Sequence, residues 1–155
     1  MIKIEPATLE LSGAVEPILR ALPQWFGIED ATQMYIRAAD DHPTILAVDT
    51  ERANLPIGFL TLLHHSADAA EVYAMGVLPE YHRRGVGRAL TDAAKRRLRA
   101  MGVTFLQVKT LSDKHPDLGY QKTRAFYLAR GFCLLEEFPD LWGADNPCWQ
   151  LVKVV

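Results

Sequence analysis

The sequence predicts an α/β fold, a central mixed β-sheet of about seven strands flanked by about four helices, and three observations carry that prediction. Strand-like and helix-like stretches alternate along the chain. One strand-like stretch, 71–78, runs through two glycines into a long amphipathic helical stretch. The 155 residues, 49% hydrophobic and 23% charged, suit a single domain over 1–155 with one substantial core.

Ile2 and Ile4 alternate with Lys3 and Glu5, the period of a short strand. Ser12 is placed to cap a helix over 13–22, with Pro23 beyond its end, and a second helical pattern covers 29–39. Thr44–Val48 reads as a strand, Asp49–Pro56 as a polar turn, and Ile57–His64 as the hairpin partner. After a turn over 66–70 comes the central strand, 71–78, which Pro79 ends. The helix from Val86 to Met101 lines up Val86, Leu90, Ala93, Ala94, Leu98 and Met101 on one side, and Gly102 closes it. Thr104–Leu111 is rich in β-formers. A helix opens at Gly119 or Tyr120 and closes at Gly131. Phe132–Glu136 and Cys148–Val154 are the last strands, joined by a long loop over 138–147.

The net charge of −2 conceals an asymmetry. Acidic residues dominate 1–51, whereas Arg83, Arg84, Arg88, Lys95, Arg96, Arg97 and Arg99 cluster over 83–99 against Asp92 alone. One half suits a cation and the other an anion. The overall acidic balance, with no basic stripe elsewhere, argues against a nucleic-acid partner. No apolar run approaches the roughly 18 residues of a membrane span, and no signal-peptide core is visible. Cys133 and Cys148 have neither disulfide-scaffold nor zinc spacing, and their apolar surroundings predict buried free thiols. A cytoplasmic protein is expected.

The chain is organised around Val77–Leu90. Gly85 and Gly87 sit where strand gives way to helix, where the first helical turn presents unpaired N–H groups and the positive end of the dipole. Arg83, Arg84 and Arg88 add full charge there. This is an anion site, most naturally for phosphate. Gly87-Arg88-Ala89 lacks the Lys-Ser/Thr of a P-loop, and Leu90 stands where a dinucleotide fingerprint needs a third small residue. A third phosphate reading is a coenzyme A pyrophosphate site.

The stretch Val77-x-Pro79-x-Tyr81-His82-Arg83-Arg84-Gly85-Val86-Gly87-Arg88-Ala89-Leu90 resembles the acetyl-CoA motif of the GNAT superfamily of N-acetyltransferases, with His82 in the Gln/Arg slot. Tyr127-x-x-x-Gly131-Phe132 resembles the family's Tyr-x-x-x-Gly-Phe, and Thr123-Arg124-x-Phe126-Tyr127 a variant branch of it. The resemblance implies that Arg83, Arg84, Gly85, Val86, Gly87 and Arg88 wrap the pyrophosphate. It implies that backbone groups of Met75, Gly76 and Val77 pair with the pantetheine arm, with a strand bulge at Gly76. It also implies that Tyr120, Thr123 and Tyr127 share in binding the cofactor. Tyr120, Thr123 and Tyr127 fall at i, i+3, i+7 on one helix face.

The implied chemistry sets requirements. A primary amine, whose pKa is ordinarily about 10, must lose a proton before attack, and a carboxylate in a partly dry site can take it. Glu71 stands where several family members carry a glutamate base, on the same strand face as Met75 if no bulge intervenes. Tyr127, neutral at pH 7, can protonate the leaving thiolate, and a backbone N–H near Val77 can meet the oxyanion. No metal is needed. The expectation is an acetyl-CoA-dependent N-acetyltransferase acting directly on a primary amine of a small molecule or peptide, with homodimerisation left open. The alternative is a non-catalytic acyl-CoA-sensing module on the same fold. His64-His65 read as one buried and one exposed histidine, Asp113 and His115 as a loop that shapes the acceptor mouth or caps a helix, and Trp25, Phe26, Tyr35, Phe138, Trp142 and Trp149 as mostly core.

Overall fold

The computed structural model describes residues 1–155. Its elements are β1 (Ile2–Ile4), α1 (Ser12–Arg20), α2 (Glu29–Asp41), β2 (Thr44–Asp49), β3 (Leu55–His64), β4 (Ala69–Val77), α3 (Val86–Ala100), β5 (Phe105–Leu111), α4 (Leu118–Ala129), β6 (Cys133–Phe138) and β7 (Cys148–Val154). Seven strands and four helices thus occur in the order the periodicities predict. Some ends differ. The Ser12 side chain does not cap α1; the Ser12 N–H instead donates to Asp40 Oδ1 at 2.8 Å, tying the start of α1 to the end of α2. The cap of α4 is Asp117, whose side chain accepts from Tyr120 N–H, so the helix begins at Leu118, one residue before Gly119.

The strands form one sheet in the order β1-β2-β3-β4-β5-β7-β6, antiparallel throughout except where β4 lies parallel to β5. Helices cover it on both faces. On one, α3 and α4 lay Val86, Leu90, Ala94, Leu98 and Tyr127 over Ile57, Leu60, Leu62, Val72, Leu106, Val108 and Leu151. On the other, α1 and α2 lay Val15, Ile18, Leu19, Leu22, Ile36 and Ala39 over Leu46, Val48, Phe59 and Ala74. Each buried Val, Leu or Ile side chain among them contributes about 1.5–3 kcal/mol by leaving water. Strands β5, β6 and β7 add nothing to that second core, so their α1/α2-side face stays open.

The sheet is not continuous between its halves. β4 and β5 pair only over Ala69–Val72 and Phe105–Val108, and beyond that point they diverge. β4 is bulged as well, but at Tyr73, where the register against β3 shifts, and not at Gly76 as expected. An extra residue in a strand turns the residues after it to the other face. Glu71, Tyr73 and Ala74 therefore face α1 and α2, while Met75 faces α3, and Glu71 and Met75 lie on opposite faces. Cys148 is buried as expected, whereas Cys133 is exposed because β6 is an edge strand with Leu134 and Leu135 also turned to solvent.

Candidate active site

The turn from β4 to α3 leaves a row of main-chain amides free. Leu78 leads into a single 3-10 turn, Pro79–Tyr81, and Gly85 at φ +80° starts α3. Arg83 also has a positive φ, +60°, a conformation that costs a residue with a Cβ about 1–2 kcal/mol. Left-handed residues interleaved with right-handed ones turn successive N–H groups inward as a nest. The main-chain N–H groups of Arg83, Arg84, Gly85, Val86, Gly87 and Arg88 have no protein acceptor; the first amide past them to find one is Ala89, bonded to Gly85 O at 3.0 Å. Four of them are the unpaired donors any helix start leaves, and the loop adds the rest.

What holds the loop is a network the sequence does not announce. Tyr81, 2% exposed, donates its hydroxyl to Asp49 Oδ2 at 2.6 Å and accepts from Arg52 Nη1 at 3.0 Å. The hydrogen bond from Tyr81 holds the Asp49 carboxyl below its usual range. Arg84 stacks on the Tyr81 ring at 4.9 Å. Arg88 reaches Asp92 at 3.8 Å and rims a basic hollow of about 230 Å³ between α3 and α4 that also holds Lys95, Arg130 and Lys153. Burial and the neighbouring Lys95 draw the Lys153 ammonium down, as expected of cations gathered with only Asp92 beside them.

The register of β4 decides which backbone groups face the gap. Leu78 N–H bonds Ile57 O, which makes Val77–Gly58 a non-hydrogen-bonded pair. By alternation Met75 and Val77 turn their N–H and C=O away from β3 and into the gap, and Gly76 turns both of its groups to Phe59. Gly76 therefore departs from the expected pantetheine contact. Its missing side chain serves packing: a Cβ there would meet Leu22 Cδ1 at 2.9 Å and Phe59 Cε1 at 3.1 Å. The Val77 carbonyl already accepts from His82 Nε2 at 2.7 Å.

The far wall of the gap is α4. Tyr127 is 5% exposed, its ring edge-on to Phe126 at 5.3 Å and Phe132 at 5.4 Å. Its hydroxyl has no protein partner, yet it is not among the sealed, unpartnered polar atoms, so it meets open space. Burial pushes that hydroxyl well above the ordinary tyrosine range. Phe126 sits beside it and closes on the start of α3; a Cβ at Gly87 would meet the Phe126 ring at 3.2 Å. Tyr120 and Thr123 do not leave their hydroxyls free. Tyr120 donates to Trp25 O at 2.8 Å, Thr123 donates to Gly119 O at 3.2 Å, and Thr123 Oγ1 accepts from Trp25 Nε1 at 3.1 Å. Trp25 also stands edge-on to His82 at 6.0 Å. It thereby straps the α1–α2 connection across both walls of the gap, a role distant in sequence from both partners and invisible to local pattern.

Glu71 lies at the base of the divergence, on the face opposite Met75. It is 5% exposed, and its Oε1 takes both His65 Nε2 at 2.7 Å and Lys109 Nζ at 3.1 Å. Its Oε2 has no protein partner and is not sealed. Tyr35 and Tyr73 stand edge-on at 5.4 Å, and burial, with the Glu71 carboxylate nearby, raises both hydroxyls. Asp113 and His115 lie away from Glu71, around a second hollow of about 440 Å³ floored by Arg124 and Trp149. Arg124, almost fully buried, donates to Leu111 O and Ser112 O, both at 2.9 Å. His65 is exposed as expected, and His64 is half-buried with a sealed Nε2. Trp142 stands exposed, and Trp149 is half-buried. No cluster of three or more His, Cys, Asp or Glu converges on a metal-like site, and no helix is long and apolar enough to cross a membrane.

Comparison with known proteins identifies what this arrangement is similar to. The acetyltransferase (GNAT) family model matches residues 15–132. A protein of the GNAT family from Desulfovibrio desulfuricans superposes with a TM-score of 0.78 at 17% identity, covering 99% of each chain. The ribosomal-protein-S18-alanine N-acetyltransferase of Escherichia coli gives 0.76 at 16% identity, over 100% of this chain and 94% of its own. An aminoglycoside 6'-N-acetyltransferase complexed with coenzyme A gives 0.74 at 16% identity, over 98% and 96%. At these identities the likeness is one of fold. No curated protein matches the sequence.

Proposed function

The chain belongs to the acetyltransferase (GNAT) family, and from that premise we propose that it transfers acetyl from acetyl-CoA directly to a primary amine, with no covalent enzyme intermediate. The observation that carries the proposal is the row of unpartnered amides over Arg83–Arg88. Six main-chain donors free of any protein acceptor at a helix start suit a pyrophosphate in number and sign. Arg83, Arg84 and Arg88 add charge, and the hollow with Lys95, Arg130 and Lys153 extends the positive field away from the turn. Met75 and Val77 offer the pantetheine amides a strand edge, as an added strand would find. In the CoA-complexed neighbour the same fold carries the cofactor.

Bound acetyl-CoA would supply an activated acyl group and a good leaving group. The chain's own residues supply the rest. Glu71, anchored through Oε1, keeps Oε2 available to take the amine's proton, directly or through one water. Tyr127 remains protonated and faces the gap, so it can give a proton to the departing sulfur. A main-chain N–H near Val77 can meet the negative charge that develops on the acetyl oxygen. Trp25 and its bonds to α4 exclude water from the acceptor side of the gap. Related folds serve acceptors as different as a ribosomal-protein alanine and an aminoglycoside, so fold alone does not choose the amine.

The test is calorimetry of CoA and acetyl-CoA binding, followed by thiol release with acetyl-CoA across an amine panel. Micromolar binding and amine-dependent release are expected. Binding without release on any amine would favour an acyl-CoA sensor, and no binding would remove the proposal.

A further inference from the structure

Arg124 is a buried cation that acetyl transfer does not use. It is 7% exposed, and its Nη1 donates to Leu111 O and Ser112 O, both at 2.9 Å. A guanidinium has five N–H donors, so three remain, on Nε and Nη2. These have no protein acceptor, and no carboxylate lies within ion-pair distance of them. Neither nitrogen is sealed, so both open into the hollow of about 440 Å³ that Arg124 lines. Arginine is almost never buried without a paired charge. The hollow follows the α4 stripe of Asp117, Gln121, Arg124 and Leu128, separate from the stripe of Tyr120, Thr123 and Tyr127. Its titratable side chains are Arg124, Asp113, Asp117 and His115; Glu137, opposite Trp149 on β6, is held by Lys114. Asp113 is exposed, Asp117 spends Oδ1 on the α4 cap, and His115 Nδ1 accepts from Asp117 N–H at 3.2 Å. The apolar wall is Trp149, with the Arg124 guanidinium 5.8 Å from its ring, and Leu128, 46% exposed.

We propose that this hollow binds a free α-amino acid with an apolar side chain, its carboxylate on the open edge of Arg124. Nε and Nη2 form the planar edge that a carboxylate meets with two parallel bonds. The ligand thereby supplies the counter-charge that the protein leaves out. Its α-ammonium falls beside the Asp113 and Asp117 carboxylates, which would repel an anion that carried no positive charge of its own. Its side chain covers Trp149 and Leu128 and takes apolar surface out of water. The volume lies within the range of small-molecule sites, about 300–1,000 Å³. The site lies off the gap that α4 walls, so it stands apart from the acetyl-transfer reading and needs no bound cofactor.

The test is calorimetry of the full chain, without CoA, against L-phenylalanine, L-phenylalaninamide and 3-phenylpropionate. Micromolar to millimolar binding of L-phenylalanine is expected. It should be at least tenfold tighter than the amide, which lacks the carboxylate, and several-fold tighter than 3-phenylpropionate, which lacks the ammonium. Gln121 and Leu128 are both exposed, so substitution there leaves the core intact. Gln121→Glu offers the Arg124 donors a carboxylate from within the chain and should weaken L-phenylalanine at least tenfold. Leu128→Asp puts an acid on the apolar wall and should weaken it as much. No binding of L-phenylalanine up to about 10 mM would overturn the proposal, as would equal affinity for the amide. L-phenylalanine held equally well by both variants would lie elsewhere, in the gap as an acceptor amine for example, and would overturn it too.

Discussion

Tyr127→Phe separates catalysis from packing more cleanly than any other single change in this chain. The ring contacts to Phe126 and Phe132 survive in phenylalanine. The hydroxyl donates to no protein atom, so its removal breaks no hydrogen bond and orphans no buried acceptor. Unfolding stability should therefore change by no more than about 0.5 kcal/mol. If the hydroxyl protonates the leaving sulfur, turnover should fall about 10²–10⁴-fold, about 2.7–5.4 kcal/mol of barrier, with cofactor affinity unchanged. Burial keeps the phenol protonated beyond its ordinary range, so the ratio of parent to variant kcat should be flat from about pH 6 to 9. The same shift has a sign in stability. The unfolded chain ionises this phenol near pH 10 and the folded chain resists, so the parent should lose stability above about pH 10, and the variant should lack that share of the loss. Urea titrations at pH 7 and pH 10.5, paired with thiol-release kinetics, read all of these quantities. Unchanged kcat, or a loss above about 1 kcal/mol at pH 7, would make the hydroxyl structural and refute the acid role.

Other outcomes follow from the same geometry. Gly85→Ala places a Cβ on a backbone at φ +80°, which should cost about 1–2 kcal/mol in urea and weaken CoA binding; undiminished affinity in calorimetry would detach the turn from the cofactor. Saturating CoA at about a thousandfold over Kd should stabilise the fold by about 4.1 kcal/mol and raise Tm by about 8–16 °C, whereas an unmoved melt would exclude specific binding. Tyr81→Phe removes the main cause of the lowered Asp49 carboxyl. A carboxyl lowered by folding adds stability above its unfolded value and loses it as pH falls through its folded value, so acid unfolding below about pH 4 should become shallower in the variant. An unaltered acid limb would show that Asp49 draws nothing from Tyr81. Trp25→Phe keeps the aromatic bulk but gives up the indole bond to Thr123, and should cost about 0.5–1.5 kcal/mol; a variant as stable as the parent would mean that the strap does not hold α4.

Element order was legible because each element carries its own period, and Pro79, Gly85 and Gly102 mark where periods change. The turn with its free amides was legible because it depends on backbone freedom and local charge, both written in consecutive residues. Register was not. A bulge at Tyr73 needs no special residue, yet it sets Glu71 on the face opposite Met75 and fixes which β4 amides enter the gap. The contacts of Tyr120 and Thr123 escaped for a related reason. Sharing a helix face says what two residues can meet together, but their partner, Trp25, lies about a hundred residues away. Lys109 gave no signal at all, since a lysine in a strand reads as solvated until its neighbour across a parallel pairing is known. The exposure of Cys133 is an edge effect of topology, which composition around a cysteine does not encode.

The narrow parallel ladder between β4 and β5 makes the molecule resemble two leaves bound along a short spine, β1–β4 forming one leaf and β5, β7 and β6 the other. Trp25 is a clasp on one side of the opening. A guest lying along Met75 and Val77 would be a clasp on the other, joining leaves that the polypeptide itself leaves parted. Amide exchange at Ala70–Val72 and Leu106–Val108 should then slow when CoA is added, even though those residues lie below the opening and need not touch the guest.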